Sequence, residues 1–160
     1  MPARRVPRPA AVALLVVLAS PALPASTLAA AARPTAVGVH LAGRTALAKV
    51  VSSTVLVDRG AITGSPVGSG RITLVYTLHP NAGVASTAFT IVNARGTVTS
   101  RARSTYDVTR LHITFAGTGS LTAGTRAYAG IRARRLEFNA LHSITGRKEA
   151  VALTGRAARS

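Results

Sequence analysis

The feature that most constrains the fold is a glycine-rich stretch, FAGTGSLTAGTRAYAGIR, at Phe115–Arg132. It contains Gly117, Gly119, Gly124 and Gly130, with threonines beside them. Glycine weakens the interior of a strand, so glycines at this density mark bends, bulges or close approaches of the backbone. The flanking segments alternate apolar and polar residues, as half-buried strands do. The stretch therefore predicts the sharply bent corner of a small closed β-structure.

The apolar composition favours strands over helices. Hydrophobic residues make up 48% of the chain but aromatic residues only 4%, so valine, leucine, isoleucine, alanine and threonine must build the core. β-Branched side chains suit a pleated surface. The 160 residues are enough for one domain after removal of a targeting segment. The absence of cysteine excludes disulfides, thiolate catalysis, cysteine–zinc sites and a lipid-modified cysteine anchor.

The first 32 residues have the pattern of a secretory signal peptide. Three arginines precede an apolar run at Ala10–Ala19, which Pro21 and Pro24 end, and small residues continue to Ala32. A membrane-spanning helix needs about 20 apolar residues, and this run is shorter. We expect cleavage near Ala31 or Ala32. The mature chain is then secreted, to the medium or the cell wall, without a transmembrane anchor.

Period-two alternation and turn residues divide the remainder into strands. Residues 33–46 are interpreted as an approach segment, Asp58–Gly60 as a turn and Ile62–Gly70 as a loop. The predicted strands are Leu47–Val57, Arg71–Leu78, Val84–Val92, Thr97–Ser104, Leu111–Phe115, Ala133–Leu141 and Lys148–Thr154. Many short strands at regular spacing, without a helix, predict an antiparallel sandwich or barrel.

Residues 117–132, followed by Glu137-Phe138, the Gly146-Arg147-Lys148 turn and Val151–Gly155, resemble the allene oxide cyclase-like and dirigent-like barrels. The resemblance implies an all-β fold: an eight-stranded antiparallel barrel over residues 47–156, with a tail at 157–160. It also implies an apolar lumen and a tendency to form homo-oligomers. Plant members of the family steer the cyclisation or radical coupling of hydrophobic substrates.

The chain departs from this family in two ways. Ala123 and Arg126 stand where glycines are usual, and the family's acidic catalytic residues have no counterpart near Leu47–Val57. We therefore interpret the protein as an exported barrel that acts as a binding or structural module for an apolar small molecule or the cell envelope. An isomerase or cyclase that templates an apolar substrate in the lumen is the alternative. The candidates for lining the lumen are Leu74, Tyr76, Ile113, Phe115, Leu136 and Phe138.

The ionisable residues form no recognisable catalytic or metal-binding pattern. Asp58 and Asp107 are placed in turns, where aspartate is favoured, and Glu137 is expected to pair with Arg134 or Arg135 on the surface. Glu149 shares a strand face with apolar residues and is the one acid expected to be buried. The four histidines, including His142, lack metal-ligand spacing and are interpreted as solvated or turn residues. No catalytic residue, metal ligand or cofactor is assigned.

The net charge of +16 points to anionic partners. Three of the 20 basic residues lie in the leader, which leaves 17 against four acids. Arg132, Arg134 and Arg135 form the densest basic cluster, and strand alternation predicts that Arg135 faces away from the other two. A module that adheres to anionic wall polymer or membrane surface is therefore a further alternative, although a GC-rich genome would produce the same arginine bias. Aromatic residues are too sparse, and motifs too few, to predict nucleic-acid binding.

Overall fold

The protein, seen in a computed structural model that describes residues 34–160, is a closed eight-stranded barrel. Each strand pairs antiparallel with the next, and the last pairs with the first. This confirms the predicted all-β, eight-stranded antiparallel barrel; the predicted signal peptide lies outside the described residues. The strands are β1 (Thr35–Ser52), β2 (Val55–Ser65), β3 (Gly70–His79), β4 (Val84–Asn93), β5 (Gly96–Val108), β6 (His112–Gly124), β7 (Ile131–Ser143) and β8 (Glu149–Arg159). Short 3₁₀ turns occupy Pro80–Ala82 and Arg126–Tyr128.

The barrel is longer at both ends of the chain than the sequence predicts. β1 begins at Thr35, which pairs with Arg159 of β8. Residues 35–46 are therefore barrel strand and not an approach segment, and the expected tail at 157–160 belongs largely to β8. Small residues such as Gly38 and Gly43 dilute the apolar alternation that marks a strand. Every strand finds both of its partners within residues 35–159, so the barrel is complete in this segment.

The first hairpin differs most from its prediction. The chain turns between Ser52 and Val55, inside the segment expected to be one long strand. Asp58–Gly60, expected to turn, instead lies within β2 and pairs with both β1 and β3. Aspartate and glycine favour turns in isolation, but here Asp58 and Gly60 face the barrel interior.

The two ends of the barrel differ in character. The connections that follow β1, β3, β5 and β7 lie together at one end, which we call the rim end. The opposite end, which we call the plug end, carries the other connections and Tyr128. The Tyr128 hydroxyl donates to the Val67 carbonyl at 2.8 Å, and the Asn93 side-chain amide donates to the Tyr128 oxygen at 2.9 Å. These bonds hold the ring of Tyr128, itself buried, at this end of the core.

The glycine-rich stretch divides between a strand and a corner. Gly117 and Gly119 lie inside β6, and the chain bends only from Gly124 to Gly130, where Gly130 has a φ of 76°. A Cβ at Gly117 would collide with the Arg103 carbonyl oxygen of β5. The predicted close backbone approach is confirmed at Gly117, and the predicted corner is shorter than expected.

Apolar side chains fill the middle of the barrel. The rings of Phe89 and Phe138 stack there with centroids 6.1 Å apart. The space enclosed by the central side chains is too small for a water molecule, and these side chains are Ile62, Ile72, Leu74, Phe89, Phe138, Val151 and Leu153. Within residues 34–160, no helix is long and apolar enough to cross a bilayer.

Candidate functional site

A ring of inward-facing side chains, rich in polar groups, circles the barrel interior near the rim end. We call it the polar belt. Seven of its members are at most 3% exposed, and Glu149 is half-buried. Each strand contributes one member, and in chain order they are Thr45, Asp58, Tyr76, Thr87, Ser104, Phe115, His142 and Glu149.

The strand register places these side chains at one level. Tyr76 pairs directly with Thr87, and Thr45 pairs directly with Glu149. Asp58 pairs with Leu74, so its diagonal neighbour on β3 is Tyr76. Diagonal neighbours in a sheet are within reach of long and aromatic side chains, and in a barrel the strand tilt brings them to similar heights. The polar belt therefore results from the closure of the barrel and from the stagger of its strands.

Asp58 and His142 meet across the lumen. Their strands, β2 and β7, are separated around the barrel by β1 and β8, so the contact crosses the interior. His142 Nδ1 lies 2.9 and 3.0 Å from the two carboxylate oxygens of Asp58. A carboxylate that accepts from Nδ1–H fixes the tautomer of a neutral imidazole and leaves Nε2 as an acceptor. Nε2 has no hydrogen-bond partner within residues 34–160.

Tyr76 lies between this pair and the rest of the belt. Its ring stacks on Phe115 with centroids 4.4 Å apart and meets the His142 ring edge-on at 6.1 Å. Burial raises the pKa of Tyr76 far above its ordinary value, and the nearby Asp58 carboxylate raises it further. Tyr76 therefore keeps its proton in the folded protein and presents a hydrogen-bond donor inside the barrel.

Four belt hydroxyls are buried without a hydrogen-bond partner within the described chain. They belong to Thr45, Tyr76, Thr87 and Ser104. Buried polar groups almost always have a hydrogen-bond partner, whether protein or ordered water. A buried group without one lowers the free energy of unfolding by about 1–3 kcal/mol. The belt therefore concentrates unused hydrogen-bonding capacity in one ring of the barrel interior.

The raised pKa of Tyr76 predicts loss of stability in alkali. Above about pH 10 the unfolded chain releases the Tyr76 proton while the folded chain retains it. The free energy of unfolding should then fall by up to about 1.4 kcal/mol per pH unit. Urea denaturation of the wild type and Tyr76→Phe, measured between pH 9 and 11, should show a shallower decline in the variant. Equal slopes for the two proteins would mean that Tyr76 ionises while folded.

The six predicted lumen residues all lie in the interior. Tyr76 and Phe115 are brought together in the belt, and Ile113 lies beyond them toward the rim. Leu74 and Phe138 belong to the packed middle of the barrel, and Leu136 lies nearer the plug end. All six are at most 6% exposed. Their role in ligand binding stays a prediction.

Asp58 and His142 correct two sequence interpretations. Asp58 was expected in a turn and His142 in solvent, but they are 1% and 2% exposed and bonded to each other. The sequence contains a signal that Asp58 is buried. Leu56, Asp58 and Ile62 are separated by even numbers of residues, so in a strand their side chains lie on the same face. His142 likewise continues the inward face of Phe138.

The other acids are closer to expectation. Glu149 is half-buried on the inner face, and Asp107 is exposed. Glu137 is exposed as predicted, but its carboxylate accepts from the Asn139 amide at 2.9 Å and from the Thr154 hydroxyl at 3.3 Å, and not from the neighbouring arginines. Cross-strand and same-face neighbours are nearer to Glu137 than the side chains adjacent in sequence.

All three arginines of the predicted basic cluster face outward. Arg132, Arg134 and Arg135 are exposed, so the expectation that Arg135 faces the other way is wrong. A register shift between Ala133 and Glu137, with Arg135 at a φ of 57°, places two consecutive residues on the outer face. Such a bulge adds a residue to one strand, so the side chains after it no longer follow the regular alternation between the two faces.

The fold and site define a small closed β-barrel with a buried polar belt. No protein-family model matches the sequence, and no curated protein matches it. Among solved structures, the chain is similar to a pyocyanin demethylase, with 17% identity and a TM-score of 0.36 over 72% of this chain and 97% of that one. A similarity at this level carries no conclusion about substrate or activity. The resemblance to allene oxide cyclase-like barrels stays a prediction.

Proposed function

We propose that the protein is an exported barrel that binds a small, largely apolar molecule in its rim half, with a polar group of that molecule at the belt. The observation that carries this proposal is the group of four buried hydroxyls that lack a hydrogen-bond partner in the described chain, beside the Asp58–His142 pair. A ligand site is typically an apolar concavity with a few convergent polar groups, and the rim half has this composition.

The chemistry of the belt selects the polar group of the ligand. The Tyr76 hydroxyl donates, and the hydroxyls of Thr87 and Ser104 both donate and accept. A carbonyl oxygen, which accepts only, fits the Tyr76 donor. The middle of the barrel is filled, so the apolar body of the ligand extends toward the rim. There it would meet Leu78 and Tyr106, which are only partly buried and pack against the core.

A Thr87→Val substitution tests whether the belt hydroxyls serve ligand binding and do not stabilise the ligand-free barrel. Valine has nearly the shape of threonine and removes a buried hydroxyl that has no partner within residues 34–160. We expect the free energy of unfolding of the ligand-free barrel to rise by about 1 kcal/mol, measured by urea denaturation. Thr90→Val, on the outer face of the same strand, is the matched control and should show no such gain. A loss of stability in Thr87→Val would mean that the hydroxyl already has a partner.

Binding itself is tested with a ketone and an alkane of equal length. A ligand that binds only the folded state raises its thermal stability. We expect 2-nonanone to raise the melting temperature of the barrel and nonane, which lacks an acceptor, to have a smaller effect. Tyr76→Phe should abolish the difference, and Thr90→Val should preserve it. Equal shifts for ketone and alkane, or none for either, would contradict a polar group bound at the belt.

Acid–base catalysis is the second candidate, as in an isomerase or cyclase. It is favoured by the His142 ring, which Asp58 holds and whose Nε2 has no partner within residues 34–160, and by the Tyr76 ring, whose centroid lies 6.1 Å from that of His142. In this proposal Nε2 removes a proton from the carbon beside a ketone while Tyr76 donates a hydrogen bond to the carbonyl oxygen. The resulting imidazolium returns the proton to the same or a conjugated carbon. The net reaction is an isomerisation, which needs no co-reactant.

Hydrogen exchange into 2-nonanone distinguishes the enzyme from the binder. In D₂O the wild type should accelerate deuteration of the carbons beside the carbonyl, followed by NMR. The double variant Asp58→Leu/His142→Leu lacks the base and should exchange at the rate of buffer alone. Ketone binding without accelerated exchange would exclude this chemistry and retain the binding function. Exchange by the double variant would exclude His142 as the base.

Attachment to an anionic wall polymer is a third candidate, which the outward bulge at Arg135 favours. It places Arg132, Arg134 and Arg135 on one exposed surface. Retention on immobilised teichoic acid should fall steeply with salt and should drop on replacing these arginines by alanine. Replacing Arg101 and Arg103 is the control, since they are exposed on the wall formed by β5. Equal losses in both variants would mean that attachment depends on net charge alone.

A further inference from the structure

We propose that the rim end docks the barrel onto an anionic lipid bilayer. The described chain has six large apolar residues that are conspicuously exposed, at 49–63%. Five of them lie at the rim end, and only Val92 lies toward the plug end. We call these five the apolar rim: Val50, Val51, Val108, Leu111 and Ile144. This inference does not depend on the proposed ligand.

Backbone hydrogen bonds link the rim connections to one another and to neighbouring strands, and the Tyr106 N–H, which donates to the Gly83 carbonyl at 3.4 Å, links β5 to the β3–β4 connection. The Ile144 N–H donates to the Leu111 carbonyl at 3.0 Å, which links the β5–β6 turn to the β7–β8 loop. The Leu78 N–H donates to the Thr54 carbonyl at 2.8 Å, which links β3 to the β1–β2 turn. Apolar residues carried on linked connections can enter one flat interface together.

The charges beside the apolar rim identify the surface that it meets. Arg110, Arg147 and Lys148 are exposed on the rim connections and Lys49 is exposed near the rim end of β1, against Asp107 as the nearby exposed acid. Apolar side chains enter the boundary between headgroups and acyl chains, and lysine or arginine near an anionic membrane contributes about 1 kcal/mol each. A second copy of the barrel would bring these like charges together. A hydrophilic wall polymer would leave the apolar rim unburied.

The test uses the purified barrel, residues 33–160, and vesicles of two compositions. We expect it to sediment with vesicles of phosphatidylcholine mixed with phosphatidylglycerol and not with phosphatidylcholine alone. Leu111→Ser/Ile144→Ser should weaken this binding by at least about tenfold, while Val92→Ser should not. Arg147→Ala/Lys148→Ala should weaken it by at least about tenfold, and more than Arg101→Ala/Arg103→Ala.

Three results would overturn the proposal. Absence of binding to anionic vesicles would do so directly. Binding that Leu111→Ser/Ile144→Ser leaves unchanged would be electrostatic and independent of the apolar rim. Self-association that this double variant abolishes, without vesicle binding, would assign the rim to a second copy of the chain. The substituted residues are exposed, so urea denaturation should show unchanged stability and exclude unfolding as the cause.

Discussion

Replacing His142 by leucine is expected to lower the free energy of unfolding by about 3–5 kcal/mol. The substitution removes the only hydrogen-bond partner that the Asp58 carboxylate has within residues 34–160, in a site where both side chains are at most 2% exposed. The carboxylate would then remain buried without compensation. Small proteins have only about 5–15 kcal/mol of stability in total, so this single change should bring the barrel close to unfolding.

The double variant Asp58→Leu/His142→Leu should recover most of that loss. Replacing a buried polar pair by apolar side chains of similar volume is often neutral or stabilising, because it removes the desolvation cost of both groups. Urea denaturation of the two single variants and the double variant gives the coupling energy between the residues. A His142→Leu variant within about 1 kcal/mol of wild type would show that water, and not His142, satisfies Asp58.

Gly117→Ala, a small-to-large change in the glycine-rich stretch, should strongly destabilise the barrel. Its Cβ would collide with the backbone of β5, at the Arg103 carbonyl and the Ser104 Cα. Backbone cannot move aside as a side-chain tip can, so we expect a loss of about 3 kcal/mol or more. Two residues further along the same inner face, a Cβ at Gly119 would have its nearest neighbour at 3.5 Å. Gly119→Ala should therefore change the free energy of unfolding by less than about 1 kcal/mol.

Urea denaturation and soluble yield of the two glycine variants, made side by side, provide the comparison. The two changes add the same methyl group to the same strand, so composition and propensity are matched. Equal stability of the two variants would mean that β5 and β6 are further apart than the structure shows. A failure of Gly119→Ala alone would contradict the packing around Leu153 and Ala102, its neighbours in the core.

Much of the barrel follows from local sequence signals. Ile72, Leu74 and Tyr76 stand at alternate positions of the predicted strand Arg71–Leu78, and all three are buried in β3. The break between the predicted strands Val84–Val92 and Thr97–Ser104 is likewise confirmed, and Gly96 adopts there a φ of 142° that glycine accepts. The prediction from local sequence was wrong at Asp58–Gly60, where the composition resembles a turn. It was also wrong at Arg135, where a bulge changes the face of the strand on which the side chain lies.

The sequence by itself determined that the chain forms antiparallel strands with one apolar face, because side-chain alternation and turn chemistry are local properties. Only the tertiary structure decided that Asp58 meets His142, 84 residues later, and that hydroxyls from separate strands form one ring. Those contacts depend on how far the sheet staggers before its last strand reaches its first. The stagger is set by the sum of every register and bulge around the barrel, which no single segment of the sequence contains.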